Sequence, residues 1–262
     1  MIRAVVFDIG ETLLDDSREY SAWADWLGIP HHTFSAVLGA VTAEGRNNAD
    51  TFQYFRPGFD LAYERQRRED SGEGEHYSED DLYPDVRTAL ARLRHMGLWV
   101  GIAGNQTARA GQILRSMALP ADLVATSAEW GVAKPDPAFF ARVIEVTPAE
   151  PHEIVYVGDH RDNDLRPAKA AGLRTAHIRR GPWGYLWAAD PQVLELADWR
   201  IHTLNELPDL AEAALGRWLL ARSGVLCSEA AERTRSTNDL RDTVHAVQDG
   251  CAARDLNPEP AD

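Results

Sequence analysis

Apolar residues fall along this chain in two rhythms, and the change from one to the other divides it. Ile2, Arg3, Ala4, Val5, Val6 and Phe7 open the chain as a short apolar run, and from Val86 to about Ile178 similar runs alternate with amphipathic stretches. A short β-branched run reads as a strand buried on both faces, whereas apolar positions three and four apart read as one face of a helix. Helices are therefore expected at 89–95, 108–117, 137–146 and 165–171, and strands at 98–102, 123–126, 154–157 and 174–178. Asp136 before Pro137 marks a helix entry, with the aspartate as N-cap and the proline in the first turn. Such alternation implies right-handed crossovers and a parallel sheet covered on both faces.

Residues 15–85 break this pattern. Aromatic and aliphatic residues recur there at helical spacing (Tyr20, Trp23, Trp26, Leu27; Phe34, Val37, Leu38, Val41; Phe52, Phe55, Phe59, Tyr63), and no strand is evident. The segment is expected to be a small helical insertion, its aromatics forming its core or, for Trp23, Trp26 and Phe34, an apolar pocket. It closes with the acidic run from Glu69 to Asp81, which lacks the spacing of a calcium loop and reads as solvated. From 219 onward the chain is polar and ends in Asn257, Pro258, Glu259 and Pro260, the composition of a loosely attached, partly disordered tail. The expected organisation is an α/β core from 1–14 and 86–218, a helical insertion at 15–85 and a tail at 219–262.

Composition narrows the function classes. With 262 residues, 44% hydrophobic and 26% charged, the chain can bury one good core plus a smaller unit. No stretch approaches a membrane span and the first strand begins at once, so a cytoplasmic protein is expected, monomeric or homodimeric. Cys227 and Cys251 both lie near the end and read as free thiols. A net charge of -14 argues against nucleic acid and against an anionic membrane, because both need a basic face. Of the 27 basic residues only Lys134 and Lys169 are lysines, which makes each informative. Lys169, within an expected helix, reads as a surface residue.

Asp8 follows the first strand and Asp159 follows the strand at 154–157. In an open parallel sheet the ligand crevice lies beyond the carboxyl ends of the strands, so both carboxylates are candidate functional groups.

Four segments, Asp8-Ile9-Gly10-Glu11-Thr12-Leu13, Ala103-Gly104-Asn105, Lys134-Pro135-Asp136-Pro137 and Gly158-Asp159-His160-Arg161-Asp162-Asn163-Asp164, resemble in order and spacing the motifs of the haloacid dehalogenase (HAD) superfamily. The resemblance covers roughly residues 1–215 and implies a Rossmann-like doubly wound sheet with an all-helical cap, here 15–85. It implies a phosphatase acting on a small phosphorylated metabolite. Asp8 would be the nucleophile that becomes an aspartyl phosphate, Lys134 would neutralise it and the transferring group, and Asp164 would orient Lys134 or a water, with Asp162 as the competing candidate. Mg2+ would be held by Asp8, the carbonyl of Gly10 and Asp159. Gly104, Asn105, Thr12 and Arg56 would meet the phosphate or substrate, with Gln106, Arg179 and Arg180 as further candidates. His160 and Arg161 read as rim residues. The presence of Asp159 argues against a metal-free dehalogenase, and the absence of lysine from 15–85 argues against a Schiff-base phosphonatase.

Two departures stand out. Gly10 replaces the aspartate that protonates the leaving group, a loss worth roughly a hundred- to ten-thousandfold in rate. Glu11 is adjacent but faces away if strand alternation continues. Without an acid, turnover should depend steeply on leaving-group pKa. Gly104 replaces the usual serine or threonine. Both departures keep open an alternative, a HAD fold that binds a ligand or partner without efficient catalysis.

Overall fold

The computed structural model describes residues 1–215. The expected tail at 219–262 lies outside the described residues. Met1–Glu212 form one compact unit.

Six strands build one parallel sheet: β1 (Ala4–Phe7), β2 (Trp99–Gly104), β3 (Leu123–Thr126), β4 (Ile154–Gly158), β5 (Arg174–Ile178) and β6 (Trp199–Ile201), in the order β3-β2-β1-β4-β5-β6. Phe7 pairs in register with Ile102 on one side and Val157 on the other; β4 runs one residue further than β1 and β2 two. That register brings Asp8, Asn105 and Asp159 to one edge.

Between β1 and β2 the chain is helical: α1 (Ser17–Leu27), α2 (His31–Ala43), α3 (Thr51–Phe55) and α4 (Leu61–Asp70), then α5 (Val86–His95) leading into the sheet. Trp23, Phe34, Phe52 and Phe59 are buried against one another, with ring centroids 4.8–6.1 Å apart. Each such side chain contributes about 1.5–3 kcal/mol by leaving water. Trp23 and Phe34 are thus core, and the apolar-pocket reading does not hold for them. The sheet has its own core, in which Phe139, Phe140 and Tyr156 pack on Val6 and Ala103, and the Tyr156 hydroxyl donates to the Ala103 carbonyl at 2.8 Å.

The remaining helices are α6 (Ala108–Ser116), α7 (Ser127–Trp130), α8 (Pro137–Val146), α9 (Arg166–Ala170), α10 (Gly181–Leu186) and α11 (Pro191–Leu196). Asp136 caps α8 by accepting from the Ala138 N–H at 2.8 Å, with Pro137 in the first turn. The helix expected at 165–171 is preceded by a wider π-type turn at Arg161–Leu165. Residues 181–184 begin α10, because Pro182 suits a first helical turn. Two readings are corrected. The acidic run is not simply solvated: Glu69 and Asp70 end α4, Glu75 binds Thr107, and Asp81 is buried against Arg18. Arg180 is not a free anion-binding group; it is buried, paired with Asp85, and donates to the Thr12 carbonyl at 2.8 Å.

The Asp85 carboxylate also accepts from the Leu204 N–H at 2.8 Å, so this pair ties the end of β5 to the start of α5 and to the turn after β1. Removing one partner of a buried pair strands the other charge, at about 3–5 kcal/mol. Asp85→Ala should therefore lower unfolding stability by that amount, read from the urea midpoint at constant slope. A change below 1 kcal/mol would show that the pair is dispensable.

Candidate active site

Asp8 leaves the end of β1 and is almost entirely buried. Lys134, in the turn before α8, is buried to the same degree and sets its ammonium 2.6 Å from Asp8 Oδ1 and 2.6 Å from Asp164 Oδ1. Asn105 holds that turn in place: its amide donates to the Lys134 carbonyl and its oxygen accepts from the Lys134 N–H, both at 2.8 Å. Its side chain is thereby committed to positioning the lysine. Asp164 is inaccessible and also accepts from the His160 N–H at 2.9 Å. Asp162, the competing candidate, pairs instead with Arg161 and Arg166.

Asp159 completes the cluster. Ligand oxygens of Asp8, Asp159 and Asp164 lie within 4.8 Å of one another, a set that can hold a metal ion. Asp159 Oδ2 is buried with no hydrogen-bond partner among the described residues. A buried carboxylate oxygen without a partner is costly, and a hard divalent cation with oxygen ligands fits that donor set.

Burial, followed by the charge of Asp164, raises the Asp8 carboxyl to about 6, although Lys134 pulls the other way. Asp159 is pushed well above the carboxylate range by burial, then by Asp164 and Asp8. Burial opposes the charged form of Lys134, yet Asp164 and Asp8 outweigh it and hold the ammonium protonated. His160 is driven down to about 4 by burial and is neutral. Its Nδ1 accepts from the N–H groups of Asp162 and Asn163, and its ring packs on Trp183 and Trp187 at 4.5 and 4.8 Å.

A cavity of about 150 Å³ opens over the cluster, lined by Asp8, Gly10, Lys134 and Asp159, by Asp16 and Tyr20 from the helical segment, and by the carboxamides of Asn47, Asn48, Gln106 and Asn163. The cluster side chains come together from four separate segments. Other candidates do not join them. Thr12 is buried, its hydroxyl has no partner among the described residues, and it does not line the cavity. Arg56 pairs with Glu64 at 3.3 Å over the Phe59 ring. Arg179 lies over Tyr185, and Lys169 is a surface residue paired with Asp198. Gly104 has a steric reason: a Cβ there would collide with Asp8 Oδ1, so the Asp8 carboxylate fills the space a larger side chain would take.

Glu11 departs from expectation. The strand ends at Phe7, Glu11 adopts a left-handed conformation (φ 53°), and its carboxylate lines the cavity while accepting from the Tyr83 hydroxyl at 2.7 Å. Burial raises it to about 7. Gln106, a further candidate from sequence, does reach the cavity, whereas Asp16, Asn47 and Asn48 were not singled out, because no spacing rule links the helical segment to the strand ends.

A six-stranded parallel sheet with a buried carboxylate–lysine cluster at the carboxyl edge defines an α/β protein of the hydrolase type. The chain matches the model of the haloacid dehalogenase-like hydrolases over residues 2–172, and it belongs to that family. It is 33% identical over 133 residues to the glyceraldehyde 3-phosphate phosphatase of Methanocaldococcus jannaschii, a match covering 50% of this chain and 56% of that protein, so about half the relative's length is spanned. The enzyme of the same name from Pyrococcus furiosus is 28% identical over 80% of this chain and 92% of its own length. Among solved structures, a HAD phosphatase from Thermococcus onnurineus is similar at 26% identity and a TM-score of 0.52, covering 80% of this chain and 97% of that one.

Asp159→Asn should raise the melting temperature of chelator-treated protein at pH 8 by a few degrees, because it removes a buried charge that lacks a partner. Millimolar magnesium should raise the midpoint of the native chain but not of the variant. Equal shifts in both would place the cation elsewhere.

Proposed function

We propose that the chain is a magnesium-dependent phosphatase of small phosphorylated metabolites, acting through an aspartyl phosphate on Asp8. One observation carries the reading: the nucleophile candidate, its lysine and the lysine's second carboxylate form one buried ion cluster beside an Asp159 oxygen with no partner. Asp8, Asp159 and the Gly10 carbonyl would hold magnesium, which when bound supplies positive charge to the phosphoryl oxygens. Asp8 attacks phosphorus. Lys134, locked by Asn105 and Asp164, keeps Asp8 ionised and offers charge to the transferring group. Residues 15–85 act as the cap, carrying Asp16, Tyr20, Asn47 and Asn48 to the cavity wall.

Those carboxamides suit a leaving group rich in uncharged hydroxyl or carbonyl groups. Lys134 is the one cationic side chain on the cavity wall among the described residues, and it is committed to the cluster. The name of the archaeal relatives points to glyceraldehyde 3-phosphate, whose organic part is uncharged, as the first compound to try.

A panel of glyceraldehyde 3-phosphate, phosphoserine and phosphoglycolate should show turnover that needs magnesium and favours the first, and Asp8→Asn should reduce it by roughly a thousandfold or more. Turnover retained in Asp8→Asn would sink the covalent route. Cation binding without turnover anywhere on the panel would favour the ligand-binding alternative.

A further inference from the structure

The missing side chain at residue 10 leaves a space that is already filled. A Cβ built on Gly10 would stand 2.7 Å from Asp16 Oδ2. Asp16 is the N-cap residue of α1, a position where aspartate ordinarily accepts from the first turn, yet its side chain makes no capping bond. That service falls to Asp15, whose Oδ1 accepts from the Ser17 N–H at 2.9 Å. Asp16 turns into the cavity instead. Its Oδ1 accepts from the Tyr77 hydroxyl at 3.2 Å, and its Oδ2 has no hydrogen-bond partner among the described residues. Glu11, the neighbouring carboxyl, accepts from the Tyr83 hydroxyl at 2.7 Å and has its side chain laid against Gly181.

We infer that Asp16 supplies, from the start of the helical segment, the carboxyl that the chain lacks at residue 10, and protonates the departing oxygen of the substrate. The assignment rests on the phosphatase reading. In the first half-reaction an Asp8 oxygen bonds to phosphorus as the ester P–O bond breaks; the departing oxygen keeps the electron pair and takes the proton of the Asp16 carboxyl. In the second, water attacks the aspartyl phosphate and gives a proton to the Asp16 carboxylate; the bond from phosphorus to the Asp8 oxygen breaks, returning Asp8 and releasing inorganic phosphate. Placing the acid outside the motif strand also means that no acid is in place unless the helical segment is seated.

The test compares Asp16→Asn with the native chain on an alkyl phosphate, glyceraldehyde 3-phosphate, and an aryl phosphate, 4-nitrophenyl phosphate, whose leaving group needs little protonation. Single-turnover rates should fall about a hundredfold or more for the alkyl ester and less than about fivefold for the aryl ester. Magnesium affinity measured by calorimetry and the melting temperature should change little. Joining Gly10→Asp to Asp16→Ala, which moves the carboxyl into the vacated space, should restore the alkyl ester at least tenfold over Asp16→Ala alone. Equal losses on both esters, no loss on either, or a relocated carboxyl without effect would overturn the assignment. Turnover of neither ester by the native chain would instead remove the phosphatase reading, and this inference with it.

Discussion

The site depends on one ammonium ion. Lys134 stands 2.6 Å from both Asp8 and Asp164, and a third carboxylate, Asp159, lies in the same buried cluster. At an effective dielectric of about 20, unit charges 4 Å apart interact by about 4 kcal/mol. One cation can therefore offset the repulsion between two carboxylates but not that of a third. Burial first, and then that surplus, raises Asp8 to about 6 even with the lysine in contact and pushes Asp159 well above the carboxylate range. A cluster this short of positive charge is poised to take it from outside, as a cation.

The fold makes this arrangement rigid from the backbone outward. Parallel register brings the carboxyl ends of β1, β2 and β4 to one edge of the sheet, so Asp8, Asn105 and Asp159 need only short excursions to meet. Lys134 is fixed by two hydrogen bonds to Asn105 as well as by its ion pairs, so its ammonium has little freedom to follow solvent. At the other end of the turn after β1, Arg180 grips the Thr12 carbonyl while paired to Asp85. Thr12 thus serves the turn through its backbone, although its hydroxyl type suggested a ligand role.

The core of this site was legible in the sequence because it is built from strand ends, and buried strands announce themselves as apolar runs. The helices at 108–116 and 137–146 and five of the six strands were readable from their apolar pattern, whereas β6, three residues long, is too short to carry a period. Side-chain direction was less legible. Glu11 was placed by assuming that alternation continued past Phe7, yet the strand stops there and a left-handed residue turns the carboxylate into the cavity. Arg56 and Arg180 were named for their charge, but each already has a carboxylate partner that lies distant in sequence or on another turn. Asp16, Asn47 and Asn48 escaped notice because pattern within a helical segment says which face is buried, not which residue reaches a sheet beside it.

Three glycines carry a common logic. Where Gly158 lacks a side chain, Asp164 Oδ2 takes the space; where Gly104 lacks one, Asp8 Oδ1 does; and beside Gly10 lies Asp16 Oδ2. Each is a backbone left bare so that a carboxylate can sit against it. At Gly158 the bare backbone lets Asp164 reach Lys134. At Gly104 the bare backbone gives the Asp8 carboxylate a closer seat beside the Lys134 ammonium. The substitutions that looked from sequence like erosion of a motif are, in three dimensions, the steric conditions for packing acidic groups closely around a single lysine. What such packing costs in desolvation and repulsion is relieved when positive charge enters the cavity.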